Sequence, residues 1–275
     1  MLRRQQRVRL EPLTVLMDID DLFAKTLSGE YDEDGPWDAV RELHHVGTRE
    51  VFEKAAGWCR SEDPLQRARG ADVLAQLGRT AEHPSNSFPD ECFNAVAEMA
   101  AAEEVSQPLS SAIHALGHIG NPRAVPIIVR HCAHSDPDVR FAVAFACGSL
   151  GNEPLAVGTL LLLMSDEDAD VRDWATFGLG TLSESDSPAI REALATALED
   201  PEVDVRQEAL VGLARRHDRR VLPCLFKQLQ LPQIDDLTLE AAREMLGMSD
   251  DSREPEKHEY VSALHKRFDQ VDADL

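Results

Sequence analysis

A chain of 275 residues with 43% hydrophobic content is long enough to bury a core, which argues against a disordered chain. Three Trp, two Tyr and nine Phe leave that core to alanine, leucine and valine, a composition that favours helices. A formal net charge of -22 excludes a protein that holds nucleic acid by neutralising phosphates, and it suits a basic protein partner instead.

The chain opens with "MLRRQQRVRLEPLTVLMDIDDLF", whose start is basic, but Glu11, Asp18, Asp20 and Asp21 interrupt any apolar region of signal-peptide type. Residues 1–34 are read as a capping segment. A repeating frame then begins, with position zero at Gly35, Gln66, Pro108, Val139, Val171, Val205 and Thr238. Position +4 holds Ala39, Gly70, Ala112, Val143, Ala175, Ala209 and Ala242, and +8 holds Leu43, Leu74, Leu116, Cys147, Leu179, Leu213 and Leu246. With positions zero and +11 these make one apolar stripe of helical period. Turns such as "SEDP", "SDPD", "SDEDAD" and "EDPEVD" announce the helices, their acids capping free N–H groups and complementing the helix dipole.

Second amphipathic patterns lie between the copies: "TREVFEKAAGWC", "DECFNAVAEMAA", "RAVPIIVRHCA", "EPLAVGTLLLLM", "SPAIREALATAL" and "RRVLPCLFKQL". Two short helices cannot bury their faces alone, so the units must stack. The fold class is all-α, an alpha-solenoid of about seven helical hairpins over residues 35–250. The segment "RTAEHPSNSFPDE" reads as a longer surface loop between units. Residues 251–275, with "REPEKHEYVSALHKRFDQV", read as a closing cap helix. The apolar run "LLLLM" at 160–164 is far too short to cross a bilayer, so no membrane contact is expected.

The pattern "DPDVRFAVAFACGSLG", with "DVRDWATFGLGTL" and "VDVRQEALVGLA", resembles the HEAT-like repeat of the phycobilisome-lyase type. That resemblance implies that the second helix of each pair lines a concave face. It also implies an arginine at +1, here Arg67, Arg140, Arg172 and Arg206, stacked against acidic turn residues of neighbouring units; Pro36, Leu109 and Leu239 depart from it. From about residue 135 to 250 the sequence further resembles the YibA-like HEAT-repeat proteins encoded beside Rhs polymorphic toxins. This second resemblance implies an immunity role.

No nucleophile-elbow context and no Gly-rich phosphate loop is present, so no catalytic residue is assigned. "GHIGNP" at 117 sits where a repeat helix should stop on glycine. His114 and His118 share a helical face, with His131 and His134 nearby, yet no carboxylate or thiol completes a ligand set, and no metal or cofactor is expected. Cys59, Cys92, Cys132, Cys147 and Cys224 are scattered through apolar patterns and read as reduced core thiols of a cytoplasmic protein. Arg215, Arg216, Arg219 and Arg220 form a basic island at a helix end.

Positions +2 and +6 point away from the core stripe and are the expected binding positions. They hold Trp37, Phe141 and Asp173 at +2, and His114, Phe145 and Phe177 at +6, with Trp174 at +3 and Glu208 and Arg215 on the next unit. Clustered aromatics with a polar rim have the make-up of a protein-binding hot spot, while packing of the same rings between neighbouring helices is the structural alternative. The expected function is non-enzymatic: occlusion of a toxin domain, encoded by a neighbouring gene, on the concave face. A phycobilin-lyase-like enzyme or chaperone, and a general interaction scaffold, stand as alternatives.

Overall fold

The computed structural model describes residues 18–248 and 257–268, and among the described residues every regular element is helical. The helices pair into hairpins: Ile19–Thr26 (α1) with Asp34–Val46 (α2), Arg49–Trp58 (α3) with Pro64–Ala75 (α4), and Pro89–Ala102 (α5) with Ser106–Ile119 (α6). Val125–Ile128 (α7) precedes Pro137–Ser149 (α8), Pro154–Leu163 (α9) precedes Ala169–Phe177 (α10), and Pro188–Ala197 (α11) precedes Val203–Arg215 (α12). Leu222–Leu229 (α13) and Asp236–Leu246 (α14) form the last pair, followed by Lys257–Phe268 (α15). Residues 1–17 of the opening segment, and 249–256 and 269–275 of the closing one, lie outside the described residues.

All seven frame helices form, and local chemistry explains where they begin. Asp63, Asp136 and Asp168 each accept a hydrogen bond from a backbone N–H in the first turn of the helix they precede, and Pro64 and Pro137 occupy first-turn positions where a missing N–H costs nothing. Gly120 ends α6 in the left-handed conformation, its N–H returning to the Leu116 carbonyl, so "GHIGNP" is a helix stop. The "RTAEHPSNSFPDE" loop lies between α4 and α5, pinned where Asn86 donates to the Leu74 carbonyl.

Two stretches depart from the frame. "RAVPIIVRHCA" is no continuous helix: α7 is flanked by tight turns at Pro122–Ala124 and Val129–His131, in a segment where Pro122 and Pro126 have no N–H to donate. At the end of α10 the backbone widens into a π turn over Gly178–Leu182, closed by Ser183 N–H on the Gly178 carbonyl.

The frame helices lie against one another in one unbroken row, α2, α4, α6, α8, α10, α12 and α14, while the first helices touch each other less. Closer packing on one side curves the stack toward it, which makes the frame-helix row the inner, concave face. The +4 residues are buried from Ala39 to Ala242, as are the +8 residues from Leu43 to Leu213. Backbone approach along the row is tight where glycines meet: a Cβ on Gly212 would stand 2.7 Å from Gly180 Cα, and one on Gly178 would stand 3.1 Å from Gly148 Cα.

The arginine ladder is present. Arg67 pairs with Glu103 at 2.6 Å, Arg140 with Asp166 at 2.8 Å, and Arg172 with Asp200 at 2.8 Å. Each also donates to carbonyls of the turn that opens its own helix, so one guanidinium ties two consecutive units. Arg206 donates only to its own turn, at the carbonyls of Asp200 and Pro201.

Candidate functional site

On the concave face, aromatic rings from three consecutive units form a continuous row. His118 lies 4.9 Å from Phe145, and His114 lies 5.0 Å from Phe145 and 5.9 Å from Phe141, measured between ring centroids. Trp174 bridges to the next unit at 5.5 Å from Phe141, 5.3 Å from Phe145 and 5.5 Å from Phe177, each edge to face. Such contacts between quadrupoles stabilise each pair by about 0.5–1.5 kcal/mol beyond area burial.

The frame expects solvent at +2 and +6, and there the structure corrects it. Phe141, Phe145, Trp174, Phe177, Asp173 and Glu208 are half-buried, while Ala68, Asp72 and Val211 at the same register are buried. Adjacent frame helices pack side by side, so these positions fall into the grooves between them. The rings are therefore at once inter-repeat packing and, by their remaining edges, part of the surface. Trp37 does not join the row: it packs edge to face on Tyr31 at 5.7 Å, in the first units. Arg215 is exposed in the last turn of α12, apart from the rings.

Beyond Phe177 the face is acidic. The Asp173 carboxyl is raised to about 6 by burial, then by the neighbouring charges of Asp204, Asp170 and Asp200. Glu208 is raised to about 7 by burial, then by Asp173, Glu240 and Asp204. Among the described residues Asp173 Oδ1 is buried with no hydrogen-bond partner. The basic island does not neutralise this patch. Arg216 donates to the carbonyls of Leu179, Gly180, Ser183, Ser185 and Gly212, and Arg220 pairs with Asp218 and Glu192 at 2.7 Å each.

These shifts give a signed expectation. A carboxylate raised in the folded state favours folding when protonated, and that contribution is lost as pH rises through about 7 for Glu208. Histidines act the other way: burial pushes His118 down to about 4, so its contribution is present above the ordinary histidine value and is lost as pH falls from there through about 4. Glu208→Gln isolates the first effect. The variant should exceed the parent in stability by about 1 kcal/mol at pH 8, after allowance for solvent screening, and match it near pH 4; thermal melts across pH check this.

Sequence reasoning missed a polar core in the first three units. Arg69 is fully buried in α4, donating to the Thr26 carbonyl at 2.9 Å, the Tyr31 carbonyl at 2.6 Å and Asp72 at 3.3 Å. Its guanidinium lies over the rings of Tyr31 (4.0 Å) and Trp37 (4.9 Å). The Tyr31 hydroxyl donates to Asp72 at 2.8 Å and lies 2.7 Å from Ser111 Oγ, while His44 Nε2 meets the Asp72 carbonyl at 2.9 Å. Burial raises Asp72 to about 6 against the opposing pull of Tyr31 and Arg69. The available signal was an Arg and an Asp three residues apart inside the otherwise small-residue run "ARGADVLA".

Above this network the concave face opens into a cavity of about 590 Å³, lined among others by Tyr31, Asp72, Ser111, His114, His118 and Phe141. Phe141 and the two histidines join it to the aromatic row. Among the described residues no group of three or more His, Cys, Asp and Glu is arranged to hold a metal ion, and no helix is long and apolar enough to cross a membrane. All five cysteines are free, and burial pushes the thiols of Cys59, Cys92 and Cys147 up to about 12, leaving them protonated and unreactive.

Comparison with known proteins agrees with this architecture. The chain is 29% identical over 213 residues to Protein YibA of Escherichia coli K12, an alignment covering 75% of this chain and 74% of that protein. The crystal structure of E. coli YibA superposes with a TM-score of 0.69 at 25% identity, covering 91% of this chain and 93% of that one. A shorter stretch of 76 residues, 28% of each chain, is 34% identical to the phycocyanobilin lyase subunit alpha of Thermosynechococcus vestitus. The family model for HEAT repeats matches residues 100–180 and 157–247, more than half of the chain between them. With hairpins stacked in one row and arginines linking successive turns, the chain belongs to the HEAT-repeat family.

Proposed function

We propose that this HEAT-repeat chain is a non-enzymatic, cytoplasmic protein-binding module that takes a basic partner along its concave face. The observation that carries the reading is the aromatic row His114–Phe145–Trp174–Phe177 running into the carboxyl groups of Asp173 and Glu208, whose raised pKa values reflect burial among acids and which a cationic partner would draw into the charged form. Half-buried rings offer rigid apolar edges at little cost in side-chain entropy, and the acids steer and orient a positively charged surface. A net charge of -22 extends that steering to long range. Following the likeness to YibA-like proteins, the partner is a toxin domain encoded by a neighbouring gene, held so that its active surface is covered. A phycobilin-lyase activity has less support, because the match to the lyase subunit spans 76 residues, 28% of each chain.

Co-expression with the product of the adjacent gene should yield a complex that survives purification and whose association rate falls with salt. Trp174→Ala should weaken that complex by about 2 kcal/mol, roughly thirtyfold. Glu208→Gln should slow association while leaving dissociation nearly unchanged. Absence of any complex, or a complex indifferent to both variants, would remove the reading.

A further inference from the structure

We propose that the concave cavity of the first four units is an anchor pocket for one arginine side chain of the partner, a deepening that rests on the reading above. The cavity is bounded by α2, α4 and α6 and by the start of α8, and at about 590 Å³ it holds a guanidinium with its aliphatic stem and adjoining backbone.

Its lining is rich in acceptors. Asp32, Asp136 and Asp138 contribute carboxylates, two of them exposed and Asp136 half-buried, and Asp72 lies deeper. Asp136 uses Oδ1 to cap α8 through the Asp138 N–H, and among the described residues it is paired with no basic side chain. The imidazoles add to the set. His114 Nδ1 lies 3.0 Å from the Ser110 carbonyl and His44 Nε2 lies 2.9 Å from the Asp72 carbonyl. A carbonyl can only accept, so each of those ring nitrogens carries the proton, and the other nitrogen of each neutral ring is an acceptor. Burial holds both rings below the usual histidine range, so they stay neutral beside an incoming cation.

Among the described residues lining the cavity there is no lysine or arginine. The nearby Arg69 is committed beneath it to two carbonyls and Asp72. An anionic or acceptor-rich ligand would meet carboxylates and lone pairs. A ligand with many donors in one plane would meet partners on several sides, and the flat walls of Phe141, His114 and Trp37 suit a planar cation better than a compact ammonium. Guanidinium, with five N–H donors in a fixed fork, matches both conditions.

The test uses the whole chain and no protein partner. N-acetyl-arginine N-methylamide, its lysine and citrulline counterparts, and spermidine are titrated separately and followed by amide chemical shifts. The arginine probe should shift resonances of α4, α6 and the start of α8, and the uncharged citrulline probe should bind about tenfold or more weakly. Asp32→Asn combined with Asp136→Asn should remove most of the arginine response; asparagine preserves the α8 cap, so the fold is retained. Equal binding of citrulline, tighter binding of spermidine, no binding of the arginine probe, or an unchanged response in the double variant would each overturn the pocket. Loss of the toxin complex with the arginine response intact would instead remove only the function proposed above.

Discussion

Arg69→Met is expected to cost the fold about 3–5 kcal/mol, the largest effect of any single substitution considered, because it strands a buried carboxylate. Asp72 would lose its cationic partner while remaining buried at the bottom of the cavity, and the carbonyls of Thr26 and Tyr31 would lose their donor. Cation stacking on Tyr31 and Trp37 would go as well. The double variant Arg69→Met, Asp72→Leu should recover much of the loss, since replacing both members of a buried pair by apolar residues is often near neutral. Denaturant unfolding of the three proteins checks this; equal stability of the single and double variants would mean that the ion pair is not the source of the cost.

Gly212→Val is the second large effect. The new Cβ would meet backbone, Gly180 Cα at 2.7 Å, and Leu194 Cδ2 at 3.0 Å, so α12 must move away from the preceding unit. Overpacking of this kind costs about 1–3 kcal/mol. It should also open the inner row, visible as a larger radius of gyration in X-ray scattering. Gly158→Ala supplies the contrast: a Cβ there meets nothing within 4 Å, and the substitution should stabilise the chain by about 0.4–1 kcal/mol. A Gly212→Val protein as stable and as compact as the parent would show that the close approach can relax freely.

The hairpin array was legible because its information is periodic. Val139, Val143 and Cys147 recur at helical spacing, Asp136 and Pro137 mark a start, and the same frame returns along the chain. The ladder was expected because arginine recurs at +1, where the resemblance to HEAT-like repeats implies a contact with acidic turns of the neighbouring unit. The surface was less so. Period alone assigns Phe141 and Phe145 to the side opposite the stripe, but an inner helix has neighbours on both flanks, and those neighbours half-cover them. The Arg69–Asp72–Tyr31 network escaped because its members come from α4 and from the turn between α1 and α2, and no short spacing records that meeting. The meaning of Gly180 and Gly212 likewise depends on which backbones approach, a property of the stack and not of either helix.

The arginine rungs also divide the array into cooperative blocks. Rungs join the second unit to the third, the fourth to the fifth and the fifth to the sixth, so melting one member of such a pair breaks ionic contacts in the other. Between the third and fourth units the register holds Leu109 and no rung crosses, and Arg206 sends none forward to the seventh. Bending at the third junction thus disrupts no rung. That junction lies between α6 and α8, beneath the cavity, and there His114 and His118 against Phe141 and Phe145, the Ser110 hydroxyl on the Asp138 carbonyl and the close approach of Gly117 to Ala146 hold the two units together where no guanidinium does.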